Sequence, residues 1–492
     1  MSDQPIPAPK DAQKAPRSTP NDLTQLENVS QSDKPAGKEY IRDRWVSFDR
    51  DYWLDREKMD IVADHFETEI DACQDRKRKR KGADREKFRA TLKAILLDLL
   101  VSYQANPQTW LIHSRRKAWY TERGPMGTLA RYHNPLVAYQ PVISIMDGLQ
   151  TLELVSYKLG FNDRREGGTG RHSRVRPKKA LIDQLLGFGL YTNAVSFRDD
   201  RETLILRSKK ERVGGHYVKE DLPYDDNDYT VRMRDNLRRI NNKLAQTKIT
   251  LNIPEADLKT LKREHQKKQQ EDFEVGETQR PDFDLTSTRL RRIFSHGSFD
   301  LGGRFYGAWW MQFSEDKRSK IMINDTYTVE LDFKSMHPRM LYDRIKTEPP
   351  MEDLYDLPEV LPSASPKDRR RMIKTYFQKL LNGKDLSRMN FDSLIDRVIS
   401  LEDYPDFVSF AQAIMDQHPH LKPFFLSRVG LELQRIDSNI AERVMLTMLD
   451  GYGQTVLPIH DSFIVDHEYA QDLKDSMMEA YYHFTGWTPV IS

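Results

Sequence analysis

Between Phe88 and Ala105 (FRATLKAILLDLLVSYQA) apolar residues recur at three- and four-residue spacing, which predicts an amphipathic helix. The stretch from Val142 to Tyr157 (VISIMDGLQTLELVSY) repeats that spacing and predicts a second helix. A short strand follows at Lys158-Leu159-Gly160-Phe161, then a glycine-rich turn at Gly167-Gly168-Thr169-Gly170 and a basic strand from Arg171 to Pro177. Helix, short strand, glycine-rich tip and basic strand is the order expected of a winged helix-turn-helix, with Arg171, Arg174 and Arg176 laid along phosphates. A structural helix-hairpin with a solvated basic edge accounts for the same residues.

In the second half of the chain, two apolar runs contain a carboxylate. Tyr327-Thr328-Val329-Glu330-Leu331-Asp332 reads as a strand that ends on an acid and turns into a helical segment, and Val456 to Val465 reads as a strand carrying His460-Asp461. Between them lies a helix with a defined start: Ser365 as N-cap, Pro366 at the first helical position and Asp368 in the first turn. It runs through Leu381 and should stop at Asn382-Gly383. At 100° per residue Arg370, Lys374, Phe377 and Leu381 fall in one sector, a face suited to a triphosphate and its base, although a basic face packed on the core reads the same way.

Composition narrows the class. Charged residues are 31% and apolar ones 38% of 492, and no apolar run approaches the ~20 residues that span a bilayer, so no membrane segment is expected. The opening MSDQPIPAPK places an acid and prolines where a secretion signal needs an apolar stretch, so a cytoplasmic location is expected. Cys73 is the single cysteine, which excludes an internal disulfide and a cysteine-built zinc site. With 77 Lys+Arg against 75 Asp+Glu, the +2 net charge does not announce a polyanion partner; the local run Arg76 to Lys81 is either a solvated surface or a phosphate contact. Residues 1–38, with six prolines and no aromatic, are expected to form a disordered tail. A mainly helical, DNA-binding region is expected over 39–195, a helical or thumb-like connector over 196–285, and the acid-bearing unit over 286–492, with the main boundary near 280. The almost wholly polar stretch 255–282 suits an exposed helix or a hinge.

Two acids held on rigid strands are what a two-metal phosphoryl-transfer site requires. The joint order of acid-bearing strand, basic helix and His-Asp strand resembles motifs A, B and C of the right-hand polymerases, specifically family A DNA polymerases and the related single-subunit phage-type RNA polymerases. Motif A is matched by Asp332, motif B by Arg370, Lys374 and Asn382-Gly383, and motif C by His460-Asp461. The following Ser462-Phe463 is closer to the RNA polymerase version, and Asn382 stands where the family has tyrosine. DFKSMHP also resembles the family B pattern Asp-Phe-x-Ser-x-Tyr-Pro. Gly302-Gly303-Arg304-Phe305 resembles the segment that family members place against the primer-template. The resemblance covers about 290–492. The 42 residues from Asp332 to Lys374 and the 87 from Lys374 to Asp461 imply small fingers.

The resemblance implies an α+β fold, an antiparallel palm sheet with small helical fingers, and a template-directed DNA polymerase acting on a DNA primer-template and deoxynucleoside triphosphates. It implies two Mg2+ ions, with Mn2+ as a substitute, held at Asp332 and Asp461 with Phe333 beside them. Arg370, Lys374, Phe377, His337 and Asn382 would then meet the nucleotide, Lys374 would also protonate the departing pyrophosphate, and Arg304 and His460 would meet nucleic acid. His337, five residues after Asp332, would sit beneath the incoming sugar and exclude a 2′-hydroxyl. Neither Asp272-Phe273-Glu274, in a charged stretch, nor Asp466-His467-Glu468, near the end, fits an editing exonuclease, and no P-loop is present. His418-Pro419-His420 reads as a loop. Such a polymerase would suit a plasmid, phage or integrated element. An RNA polymerase or primase on the same frame, and a DNA-binding initiator or regulator whose polymerase fold has lost turnover, are the other readings.

Overall fold

The computed structural model describes residues 45–48, 51–54, 56–120, 130–132, 134, 137–162, 170–192, 195–198, 201–213, 216–274 and 283–492. The expected tail and the glycine-rich tip 167–169 lie outside them. Two apolar cores divide the chain. The first gathers β1 (Trp45–Ser47), α1 (Arg56–Cys73), α2 (Gly82–Ala105), β2 (Trp110–His113), α3 (Tyr139–Thr151), β3 (Val155–Lys158), β4 (Ser173–Pro177) and α4 (Lys179–Gly187) around Phe66, Phe88, Leu96, Ile145, Leu149 and Leu181. Its sheet runs β1-β2-β4-β3, with β1 parallel to β2 and the other pairs antiparallel.

The second core begins at Leu204 and takes in β5 (Leu204–Leu206), α5 (Asp228–Gln246), β6 (Ile249–Leu251), α6 (Glu255–Glu274), β7 (Arg291–Ser295), β8 (Ser298–Tyr306), β9 (Ile321–Ile323) and β10 (Thr326–Asp332). It continues through α7 (Met336–Arg344), α8 (Pro366–Asn382), α9 (Leu394–Leu401), α10 (Phe407–Asp416), α11 (Gly430–Tyr452), β11 (Leu457–Ile459), β12 (Ser462–Asp466) and α12 (Ala470–Thr485). A five-stranded sheet, β6-β9-β10-β12-β11, is antiparallel throughout, and a smaller one runs β8-β7-β5. The fold is α+β with antiparallel sheets, and no helix among the described residues is long and apolar enough to cross a membrane.

Several expectations change. The boundary expected near 280 falls inside the second core, because Met233, Leu237, Ile240 and Leu244 of α5 are buried with Phe283, Leu290 and Trp309; the change of core lies between Phe197 and Leu204. The predicted helix from Val142 to Tyr157 stops at Thr151. Glu153 takes a left-handed φ of 56°, and Val155 and Tyr157, residue types that suit a pleated surface, go into β3 against β4. Gly383 ends α8 as predicted, but in an extended rather than a left-handed conformation. The His-Asp segment is a hairpin rather than one strand, with His460 at φ 59° in the turn between β11 and β12.

The small sheet is fastened to α11 by a buried guanidinium. Arg292, fully buried between the rings of Phe294 and Phe305, donates to Gly303 O (2.9 Å), to Glu442 Oε2 (2.8 Å) and to Ser438 Oγ (2.9 Å). The close approach needs a residue without a side chain at 303: Gly303 has φ 85°, and a Cβ there would come within 2.6 Å of Phe294 Cε1. Removing one partner of such a pair strands the other's charge. Arg292→Met is therefore expected to destabilise the second core by about 3–5 kcal/mol, read as an earlier urea or thermal transition; an unchanged transition would show that the clamp contributes nothing.

Candidate active site at the strand ends

The register of the central pair decides where the acids meet. Thr328 faces Asp466 and the ladder proceeds through Leu331 opposite Phe463 to Asp332 opposite Ser462. Asp332 thus ends β10 beside the two-residue turn that carries Asp461, and Phe333 N donates to Asp461 O at 3.1 Å. The C-terminal residues continue the sheet on the other side, with Asp332 and Ser492 exchanging backbone hydrogen bonds at 2.9 and 3.0 Å. Glu330, on the same face two residues back, is taken by Arg318 (2.8 and 2.6 Å) and accepts from Ser462 Oγ at 2.7 Å.

Both carboxylates are half-buried. Burial first, and the like charge of Asp461 second, push the Asp332 carboxyl above the usual carboxylate range, while the cations Lys374 and Arg370 oppose the rise. The structure thus brings together four residues that the sequence singled out from three separate segments: Asp332, Asp461, Lys374 and Arg370. Lys374 is exposed; Arg370 donates from Nε to Asp353 Oδ2 at 2.7 Å, a partner it would have to give up to meet a phosphate. Asp353 also accepts from Ser335 Oγ at 3.0 Å, and Ser335, at φ 53°, turns the chain out of β10 into α7.

Behind the acids runs a buried polar chain that the sequence only half revealed. His337 Nε2 lies 2.8 Å from Asp437 Oδ2 and 3.1 Å from Arg304 Nη2, and its Nδ1 lies 3.1 Å from Gln378 Oε1. Gln378 Nε2 in turn donates to Tyr355 Oη at 2.9 Å. Arg304 donates through Nε to Asp437 Oδ2 at 2.8 Å and pairs with it through Nη2. Asp437 Oδ1 and His460 Nδ1 are buried without a hydrogen-bond partner among the described residues. Burial, and then the Arg304 charge, hold the His460 imidazole below its usual pKa, and its ring packs edge-on to Tyr306 at 5.4 Å between centroids.

Other expected site residues are placed elsewhere. Phe377 does not line the cationic face: it is fully buried and packs on His418, Phe425 and Tyr355, because the sector it shares with Arg370 passes under the core two turns further along, whereas Gln378 beside it reaches His337 and Tyr355. Asn382 points at Gly430, where a Cβ would meet its Oδ1 at 2.3 Å, and donates to Gln378 O. Phe333 is buried against Phe463 and Tyr481. In the first core, Arg174 is 6% exposed and lies over the Trp110 ring at 5.5 Å, packed on its own sheet, while Arg176, half-buried, lies over the same ring at 4.8 Å and donates to Gln108 Oε1. The Arg171 side chain lies outside the described residues. His418, read as a loop residue, is buried between Tyr342 and Leu354 O.

Among the described residues no three His, Cys, Asp or Glu side chains gather into a metal cage. The pair Asp332 and Asp461 nevertheless fits a hard divalent cation. Their oxygens are hard donors, their mutual repulsion is relieved by a positive ion, and Mg2+ is commonly held by one or two carboxylates with phosphates and water completing its shell. Because the folded pKa of Asp332 lies above the unfolded one, its contribution to stability is full below about 3.8 and is lost as pH rises through the folded value. Asp332→Asn, permanently neutral, is therefore expected to melt above the wild type in chelator at about pH 8, by on the order of 1 kcal/mol, with the difference closing towards about pH 4. Equal melting at both pH values would contradict the raised Asp332 pKa that burial and the Asp461 charge impose.

The chain matches no protein-family model and no curated protein sequence.

Proposed function

We propose that this chain is a metal-dependent nucleotidyltransferase of the family A polymerase type, a template-directed DNA polymerase without an editing site, with the five-stranded antiparallel sheet as its palm and the helices around α8 as small fingers. The observation that carries the reading is the meeting of Asp332, at the end of β10, with Asp461, in the turn that leads into the adjacent antiparallel β12, 129 residues apart in sequence and within the field of Lys374 and Arg370 of α8. The motif order supports it: each of the three resembling segments contributes a residue to one place.

Asp332 and Asp461 would hold two divalent ions, which when bound supply charge for the attacking and leaving oxygens of an in-line displacement. Lys374, exposed beside them, is the group to neutralise the triphosphate and to give a proton to the departing pyrophosphate. Arg370 would exchange Asp353 for a phosphate oxygen. His337, one helical start beyond Asp332 and held by Asp437 and Gln378, would meet the sugar, and its fixed position suits discrimination against a 2′-hydroxyl. The RNA polymerase reading keeps one observation of its own, the Ser462-Phe463 that follows His460-Asp461.

Primer extension on DNA and RNA templates with dNTPs or NTPs tests the proposal. The wild type is expected to incorporate dNTPs in preference to NTPs by roughly a thousandfold. Asp332→Ala and Asp461→Ala should abolish incorporation while duplex affinity stays nearly unchanged, since binding rests on phosphate contacts, and His337→Gly should gain NTP use. Near-wild-type extension by either alanine variant would remove the metal role, a wild-type preference for NTPs would promote the RNA polymerase, and a wild type that binds DNA without turnover would promote the inactive initiator.

A further inference from the structure

The loop joining α1 to α2 carries six consecutive cations, Arg76 to Lys81, and among the described residues one of them is paired with an acid. Arg80 is that one: its side chain is 5% exposed, it pairs with Asp71, its guanidinium lies 3.4 Å from the Phe88 ring centroid, and Nη2 reaches Ser144 Oγ on α3 at 3.3 Å. Gln74 ties the start of the loop to the same residue, donating to Ser144 O at 2.7 Å and accepting from Ser144 Oγ at 2.9 Å. Arg76 Nε donates to Arg78 O at 2.9 Å. The run is therefore docked on the first core at both ends, with a fixed path beside α3.

The remaining cations, Arg76, Lys77, Arg78, Lys79 and Lys81, are exposed, and none makes an ion pair with a described residue. Asp71 is taken by Arg80, and the flanking Asp75 and Asp84 form no ion pair with the run. Holding five like charges within six docked residues leaves a mutual repulsion that water and salt screen only in part and that a bound polyanion relieves. Beside them, α3 presents Gln140, Ser144, Asp147 and Thr151 on one face at three- and four-residue spacing. The charge of Asp147 is neutralised by Arg115, at 2.5 and 2.9 Å, and the Ser144 and Thr151 hydroxyls are engaged within the fold, so that face does not repel an anion held by the cations and leaves the exposed Gln140 amide to meet it.

We infer that the Arg76–Lys81 loop and the adjoining face of α3 form a binding surface for double-stranded nucleic acid, separate from the strand-end carboxylates, with Arg76, Lys77, Arg78, Lys79 and Lys81 on backbone phosphates. A duplex carries one negative charge per about 1.7 Å of axis, dense enough to meet several of these cations together, and its grooves admit a helix face.

The test uses the full chain, with wild type compared against the fivefold variant Arg76→Gln, Lys77→Gln, Arg78→Gln, Lys79→Gln, Lys81→Gln; Arg80 is kept so that the loop stays docked. Anisotropy of a labelled DNA duplex is followed from about 50 to 200 mM salt, and the same titrations are run with single-stranded DNA, with phosphatidylserine vesicles and in the Asp332→Ala background. The fivefold variant is expected to bind duplex at least about tenfold more weakly, with a log-log salt slope shallower by up to about 0.9 for each phosphate no longer neutralised, and to show the same weakening in the Asp332→Ala background. Its melting temperature, no lower than that of wild type, shows that charge rather than folding was removed, and Lys79→Gln alone should give a smaller step in duplex affinity in the same direction. Unchanged duplex affinity and slope, tighter binding of the single strand than of the duplex, or a weakening confined to vesicles would each overturn the inference, and each would leave the incorporation assay of the proposed polymerase site standing by itself.

Discussion

Pairing β10 with β12 in the register that sets Asp332 opposite Ser462 forces two carboxylates to the same sheet end, and this like-charge contact is the constraint on which the rest of the site depends. A shift of one residue would turn Asp332 to the opposite face and separate it from the turn that bears Asp461. The register is held by the apolar partners Val329 with Val465 and Leu331 with Phe463, and by the hydrogen bond from Ser462 to Glu330. The repulsion thus created is partly met by Lys374 and Arg370 from α8, so the sheet and the basic helix are electrostatically coupled even though 42 residues separate Asp332 from Lys374.

Helix α11 is the second support. One face carries Leu433, Ile440, Val444 and Met448 into the core, and within that stripe sit Asp437 and Ser438. Asp437 gathers Arg304 from β8 and His337 from α7, while Ser438 and Glu442 hold Arg292 from β7. Polar groups buried this way stabilise little in themselves but tolerate few alternative packings, since a missing partner leaves a charge without solvent. The small sheet, the helix after β10 and α8 through Gln378 are therefore fixed relative to the two acids by one set of hydrogen bonds.

Much of this was legible in the sequence where a local rule acted alone. Ser365 accepts from Asp368 N and starts α8 with Pro366 at its first position, as the capping pattern predicts. The strand that ends at Asp332, and the adjacency of Asp332 and Asp461, followed from motif order. What was not legible depended on angle or on distant partners. Phe377 and Gln378 are neighbours in sequence, and only the direction of the core decides which one faces the acids. Asp437 had a signal, a carboxylate within the apolar stripe of α11, but its partners lie 100 and 133 residues away. The strand over Val155–Lys158 was hidden because LELVSY keeps helical spacing, and the cover that Trp110 gives Arg174 and Arg176 could not be read from a basic strand alone.

The proposed function requires the two strand-end carboxylates to share metal ions with a triphosphate. Crystals of the full chain grown with Mn2+ and a non-hydrolysable deoxynucleoside triphosphate, measured at the manganese edge, test it most directly. Two anomalous peaks about 3.5–4 Å apart are expected, each within bonding distance of Asp332 or Asp461, with the phosphates directed at Lys374. Manganese and triphosphate bound away from both carboxylates, or a triphosphate held beside Lys374 with no metal between it and the acids, would contradict it.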